Sequence, residues 1–296
     1  MTPTPAPADV FLPATRVMFV LAHQDDELAC AGLVRRAPPD SRFLWVTNGD
    51  GLAPAAGMGL GKYAEARRLE TTAAMSIAGV PSDRLRFLGH SEVLIYRSLV
   101  RHAREPGAAH EVQRMIRDIA AQVGSEVRAY RPDVVFTLAW QGGHPEHDLV
   151  HCMARAAVAD RKDVRLFELP EYELAYTVPL RFPPWRRDPV HRIRLTADEL
   201  LAKRRMFESY PTQAEGLRMF RRLMTGYQAL NVLRGRPAGW EEYASTEEFG
   251  PVPRDRDYGK SPHWLDLLDY VGDDYEGIPI RFSTMVGPLA TVIVGG

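Results

Sequence analysis

Two short clusters hold the residues best suited to chemistry: Ala22-His23-Gln24-Asp25-Asp26-Glu27 and Gly142-Gly143-His144-Pro145-Glu146-His147. Each alone reads equally well as an ordinary helix start, because acidic side chains in a first turn satisfy free N–H groups and the helix dipole, and Pro suits the first helical position. Each also follows a short apolar run, RVMFVLA at 16–22 and DVVFTLA at 133–139. Such runs mark strands buried on both faces of a parallel sheet. Open α/β sheets bind ligands beyond the carboxyl ends of their strands, where the strand order reverses. If these two strands are neighbours there, the clusters face each other. Two imidazoles and one carboxylate then form a three-ligand zinc set with an open position, which is the pattern of a catalytic site. The other acid of the Asp-Asp pair stays free to handle protons.

The elements that must position these clusters follow a rhythm. After the first strand a helix is expected over 27–36, a strand over 42–47 (RFLWVT), a Gly-rich loop over 48–61 and a helix over 63–78. Strand 85–88, helix 110–130, strand 133–139, helix 146–159 and strand 164–168 continue it. Alternating strands and helices mean βαβ units with right-handed crossovers. Beyond about residue 170, strands are expected over 172–177 and 191–195 and helices over 196–210 and 215–233. Thr196 and Glu199 form a capping-box start for the first of these helices. The tail from Gly235 has no clear period, and there is no internal repeat. The fold class is therefore α/β: a Rossmann-like, mostly parallel sheet with helices on both faces, plus a smaller C-terminal α+β region. The expected division is an extended or disordered lead at 1–14, a catalytic core at 15–170 and a C-terminal region at 171–296 that completes the substrate pocket.

The 296 residues carry 37 Lys+Arg against 38 Asp+Glu, so a net charge of -1 gives no footprint for wrapping nucleic acid or clinging to an anionic membrane. A small molecule is the expected partner, and a homo-oligomer is left open. Two cysteines, Cys30 and Cys152, are too few for a disulfide framework and read as small core residues. No basic start with a long apolar run and no stretch of membrane-spanning length is present, which predicts a cytoplasmic protein without membrane insertion.

With these motifs in view, the chain resembles the PIG-L/LmbE-like zinc-dependent de-N-acetylases, whose hallmarks are a His-Pro-Asp-Asp-Glu motif and a later His-Pro-Asp-His motif. Further similarity lies in Thr47-Asn48-Gly49-Asp50-Gly51, Arg67-Arg68-Leu69-Glu70, Phe87-Leu88-Gly89, and Lys203 with Tyr210-Pro211-Thr212-Gln213. These matches span residues 15 to about 215. The resemblance implies Zn2+, or another divalent metal, held by His23, Asp26 and His147, with Asp25 as base and His144 stabilising the oxyanion. It also implies removal of an acetyl group from an N-acetylglucosaminyl or related amino-sugar conjugate, as in thiol, glycolipid or antibiotic biosynthesis. An amidase acting on a larger acyl group, and a non-catalytic sugar- or metal-binding module, are the alternatives. Asp25 argues against the last, since a binder needs ligands but no base.

Gln24 stands where the family has Pro and Glu146 where it has Asp, both outside the ligand positions. Glu146 reads either as a partner orienting an imidazole or as a solvated helix-start acid. Some family members carry a Tyr two residues before the second-motif His. Here that residue is Gly142, so any help must come from Trp140, from Tyr63 or from nothing. Arg68, Asn48 and Asp50 are candidate substrate contacts. His151, four residues after His147, offers a rival ligand pair, although the Glu expected between two such histidines in a metalloprotease is absent. His90, His102, His110, His191 and His263 are read as structural or surface residues.

Overall fold

A computed structural model describes residues 7–171, 180–183, 185–233, 243–263, 269–270 and 272–295. The strand expected at 172–177 lies outside the described residues. Strand β1 (Val17–Leu21) is buried throughout and pairs in parallel with β2 (Arg42–Thr47) on one side and β4 (Val134–Leu138) on the other. Strand β3 (Leu85–His90) lies outside β2, and β5 (Arg165–Leu169) outside β4, both in parallel. The order β3-β2-β1-β4-β5 reverses direction between β1 and β4. That is the switch point at which the sequence places its two clusters.

Phe43, Phe19, Phe136 and Phe167 occupy matching registers on β2, β1, β4 and β5. Their rings stack in a row at centroid separations of 4.9, 5.0 and 5.4 Å, each pair contributing about 0.5–1.5 kcal/mol beyond its burial. This ladder ties the two strands that carry the clusters. Helices α1 (Ala31–Arg36), α2 (Leu60–Ile77) and α6 (Ala197–Glu208) pack together. A second group consists of α3 (Glu92–Arg104), α4 (Ala109–Tyr130), α5 (Pro145–Ala157) and, near the carboxyl end, α8 (Gly287–Val294); α7 (Ala214–Leu233) lies between α6 and α8 in sequence. The capping box of Thr196 and Glu199 at the start of α6 is formed in both directions.

The structure departs from the expected elements in four places. The helix expected from residue 27 is a 3-10 turn (Asp26–Leu28) followed by the short α1. The break arises because Asp26 turns back to accept the Ala22 and His23 amides. Within the expected lead, Ala8–Phe11 is a 3-10 turn that buries Val10. Helix α3 has no counterpart among the elements expected from the sequence; Ser91 caps it through the Leu94 amide, and Asp50, from a distant loop, accepts the Val93 amide.

The aperiodic tail supplies β7 (Thr246–Pro251), inserted antiparallel between β5 and β6 (His191–Arg194) in the same seven-stranded sheet. Its acids look wrong for an inner strand until their partners are seen. Glu247 takes the Gly32 and Leu33 amides and the Lys203 ammonium, and Glu248 binds Arg192. The C-terminal residues thus extend the core sheet. A hairpin of β8 (Asp274–Tyr275) and β9 (Ile278–Pro279) packs against α3.

Candidate active site

The carboxyl ends of β1 and β4 lie side by side, and the two clusters meet there. Asp26 accepts the Ala22 and His23 amides at 2.7 and 2.8 Å through Oδ2, which aims Oδ1 at the histidines. His23 Nδ1 lies 3.7 Å from Asp26 Oδ1, His147 Nε2 lies 3.3 Å from it, and the two nitrogens are 3.0 Å apart. Three atoms at 2.0–2.1 Å from one tetrahedral ion are separated by about 3.3 Å. The triangle therefore fits a zinc-sized ion, and each of its corners carries a metal-competent donor.

Each imidazole is backed on its far nitrogen by a buried acid. Glu146 Oε2 is 2.6 Å from His23 Nε2, and Glu171 Oε2 is 3.4 Å from His147 Nδ1. Such outer carboxylates fix ring orientation and raise ligand basicity. Of the two readings open for Glu146, the structure places it buried against His23 and not in solvent; Glu171, beyond the end of β5, carried no motif signal. Burial pushes Glu146 up to about 8, partly countered by its bond to His23. Burial also works to raise Asp26, but His147 and His23 outweigh it and hold its carboxyl below the usual range.

Asp25 stands beside the triangle and outside it, at φ 140° and ψ -13°. A non-glycine residue there is strained, and such strain concentrates at working sites. Glu27 supports the conformation. It accepts the Asp25 amide at 3.2 Å and the Trp45 indole N–H at 3.3 Å, and takes the Tyr210 hydroxyl on its other oxygen. Arg67 Nη2 lies 3.0 Å from Asp25 Oδ1. Burial, helped by neighbouring Asp26, raises the Asp25 carboxyl against the lowering effect of Arg67. A carboxylate of raised pKa is a better proton acceptor.

His144 packs against both other histidines, with ring centroids 4.6 Å from His23 and 4.7 Å from His147. Its Nε2 faces the Tyr96 hydroxyl at 3.2 Å, while its buried Nδ1 has no partner. Burial, followed by the nearby His23 and His147, holds its pKa well down, so the resting ring is neutral.

Arg68 is exposed and pairs with Glu65 on the outside of α2; its neighbour Arg67 is the arginine that reaches the site. Asn48 and Asp50 bond to each other, and Asp50 also binds Ser91 and the start of α3, so both carry the loop's architecture. His151 is excluded from the ligand set because its nitrogens face Leu138 O at 2.7 Å and Tyr258 Oη at 3.0 Å. Trp140 packs on His151, Tyr258 and Phe282, and Tyr63 bonds Gln213 and Thr212. The tyrosine that touches His144 is Tyr96, on the helix without a sequence counterpart. At Gly142, φ is 71°, and an added Cβ would come within 2.9 Å of His263 Cβ and 3.0 Å of Asp269 Oδ1, so no side chain fits there.

Fold and site define the class: a switch-point α/β protein with a two-histidine, one-aspartate triangle. Residues 18–158, the segment bearing both clusters, match the family model described as PIG-L, GlcNAc-PI de-N-acetylase. The chain is PIG-L-like across that segment, as its motifs suggest. Among solved structures it is similar to a deacetylase from the teicoplanin biosynthesis pathway in complex with bog (19% identity, covering 82% of this chain and 100% of that one, TM-score 0.59). It is also similar to the zinc inhibited form of teicoplanin deacetylase Orf2 (20%, 82% and 100%, TM-score 0.58) and to a pseudoaglycone deacetylase (16%, 82% and 99%, TM-score 0.57). At these identities the likeness concerns the fold. No curated protein matches the chain. Among the described residues no helix is long and apolar enough to cross a membrane.

Proposed function

We propose that this protein is a divalent-metal-dependent hydrolase that removes the N-acetyl group from an amino-sugar conjugate. The observation that carries the reading is the triangle of His23 Nδ1, Asp26 Oδ1 and His147 Nε2, with edges of 3.0 to 3.7 Å, beside a strained acid outside it. His23, Asp26 and His147 would hold the ion. When bound, a divalent ion there supplies an electrophile for a carbonyl oxygen and lowers the pKa of water in the open position.

The chain's own groups do the rest. Asp25, not needed as a ligand, accepts the proton of the attacking water and returns it to the departing amine. Arg67 holds the Asp25 carboxylate in place. His144, beside both ligand histidines, stands where charge grows on the carbonyl oxygen and meets it once protonated. The amino-sugar substrate class rests on the family match and on the names of the similar structures.

The direct test incubates purified protein with N-acetylated amino sugars and their conjugates and follows acetate and free amine. Equimolar acetate and amine, abolished by a chelator and restored by zinc, is the expected result. Release of a larger acid would convert the reading to an amidase, and turnover indifferent to chelators would end the metal-dependent one. His23→Ala, Asp26→Ala and His147→Ala should each strip the ion, measured by metal analysis; full occupancy in all three would refute the ligand set.

A further inference from the structure

The segment Tyr210-Pro211-Thr212-Gln213 folds against α2, the helix that carries Arg67 and Glu70. Pro211–Gln213 is a 3-10 turn. Glu70 accepts the Thr212 amide at 2.9 Å, and Gln213 Nε2 donates to the Tyr63 hydroxyl at 3.1 Å. Clamped in this way, Tyr210 is 1% exposed and touches both supports of Asp25. Its hydroxyl donates to Glu27 Oε1 and lies 3.0 Å from Thr71 Oγ1. Glu27 Oε2 in turn accepts the Asp25 amide at 3.2 Å and the Trp45 indole N–H at 3.3 Å. The Tyr210 ring faces Arg67, whose guanidinium carbon is 5.6 Å from the ring centroid, within cation–π range. Arg67 Nη2 lies 3.0 Å from Asp25 Oδ1, while its buried Nε and Nη1 have no hydrogen-bond partner among the described residues. The ring is therefore a second hold on the guanidinium.

We propose that Tyr210 is the positioning residue for Asp25, holding its backbone through Glu27 and its carboxylate through Arg67. Asp25 needs both holds because φ 140° is a conformation that an unsupported aspartate leaves. Removing the phenol oxygen takes the donor from Glu27 Oε1, and a buried carboxylate oxygen without a donor turns towards another partner. The Asp25 amide then loses its acceptor. The two holds reach Asp25 from opposite ends of the residue, so one tyrosine, 185 positions away in the chain, fixes the acid outside the ligand triangle without touching it or the ligands.

The inference rests on the proposed deacetylase reading only for its kinetic consequence; the Asp25 backbone reports it independently. A crystal structure of zinc-loaded Tyr210→Phe should show Asp25 relaxed from positive φ in at least part of the molecules, with zinc content unchanged. In the deacetylation assay, Tyr210→Phe should lower kcat roughly ten- to a hundredfold with KM almost unaltered, the scale of a catalytic group slightly misplaced. Tyr210→Leu, which also removes the ring from Arg67, should lower it further. In an Asp25→Asn background, Tyr210→Phe should cost almost nothing more, since no base is left to position. A Tyr210→Phe protein with Asp25 in place and the parent's kcat would overturn the proposal, as would full additivity with Asp25→Asn. Asp25 relaxed in Tyr210→Phe, in a protein whose parent has no deacetylase activity, would uphold the positioning role and refute the function.

Discussion

Helix α5 carries two buried imidazoles one turn apart in opposite chemical situations. His147 points Nε2 into the triangle with His23 and Asp26, and around it His144 Nδ1, Glu146 Oε1 and Glu171 Oε1 are buried without hydrogen-bond partners. At His151 the polar groups close on one another: Nδ1 meets Leu138 O, Nε2 meets Tyr258, and adjacent Glu168 binds both Arg186 and Arg256. Both imidazoles are buried, and both have buried glutamates beside them. What differs is whether electron pairs are left over at ligand spacing. Leftover buried acceptors cost stability unless something fills them, which is why the first cluster suits an ion and the second suits a structural brace.

The largest separation between the two should appear on mutating Asp25. Asp25→Asn preserves volume and leaves the triangle intact, so the protein should keep its metal while turnover falls by about 10² to 10⁴. Loss of metal in this variant would show that the neighbouring acids have exchanged roles. At the brace the effect should fall on stability. Glu168→Gln leaves two arginines buried without their carboxylate and should cost about 3–5 kcal/mol in denaturant unfolding, with metal content per folded chain unchanged. An undiminished midpoint would break the contrast between the two histidines.

Smaller effects sharpen the same comparison. Glu171→Gln and Glu146→Gln, which alter only the groups behind the ligand imidazoles, should weaken zinc affinity by about 10- to 100-fold in competition with a chelating dye. Affinity equal to the parent's in both would mean that these acids do not orient the ligands.

The least effect is on pH dependence. Burial pulls His151 down to about 4, opposed by Glu168 and assisted by Arg256. The unfolded chain binds this proton below about 6.5, so the unfolded state gains protons first and stability falls as pH drops from about 6.5 to about 4. Glu168 is held down to about 2, Arg256 and Arg186 outweighing burial. Its contribution is complete above the unfolded pKa of about 4.3 and is lost as pH falls towards about 2. His151→Gln should flatten the stability curve between about pH 6.5 and 4 and spare the lower window; an unchanged slope there would remove His151 from the acid response.

Part of this contrast is legible in the amino-acid sequence. The apolar runs at 16–22 and 133–139 predict the strands, and His147 stands within a recognisable motif while His151 does not. Sequence can only rank the two histidines, because both sit at helical spacing in an apolar setting. Arg67 and Arg68 are likewise adjacent and equivalent in the chain. Their difference is one step of about 100° around α2, which turns one towards Asp25 and the other towards solvent.

Residue order alone determined the elements whose causes are local: the buried strands, with their unbroken apolar runs, and the start of α6, whose capping box spans four residues. It also carried the two clusters that supply the proposed ligand triangle and the acid beside it. Tertiary structure decided what depends on partners distant in the chain. Glu171 finds His147 only because β5 pairs with β4, and the acids of β7 are tolerable only because Lys203, Arg192 and the α1 amides surround them. Helix α3 starts where Asp50 meets it, and Tyr96 reaches His144 across 48 residues of chain. Charge pairing and hydrogen bonding act through space within a few ångströms, and neither leaves a period in the sequence.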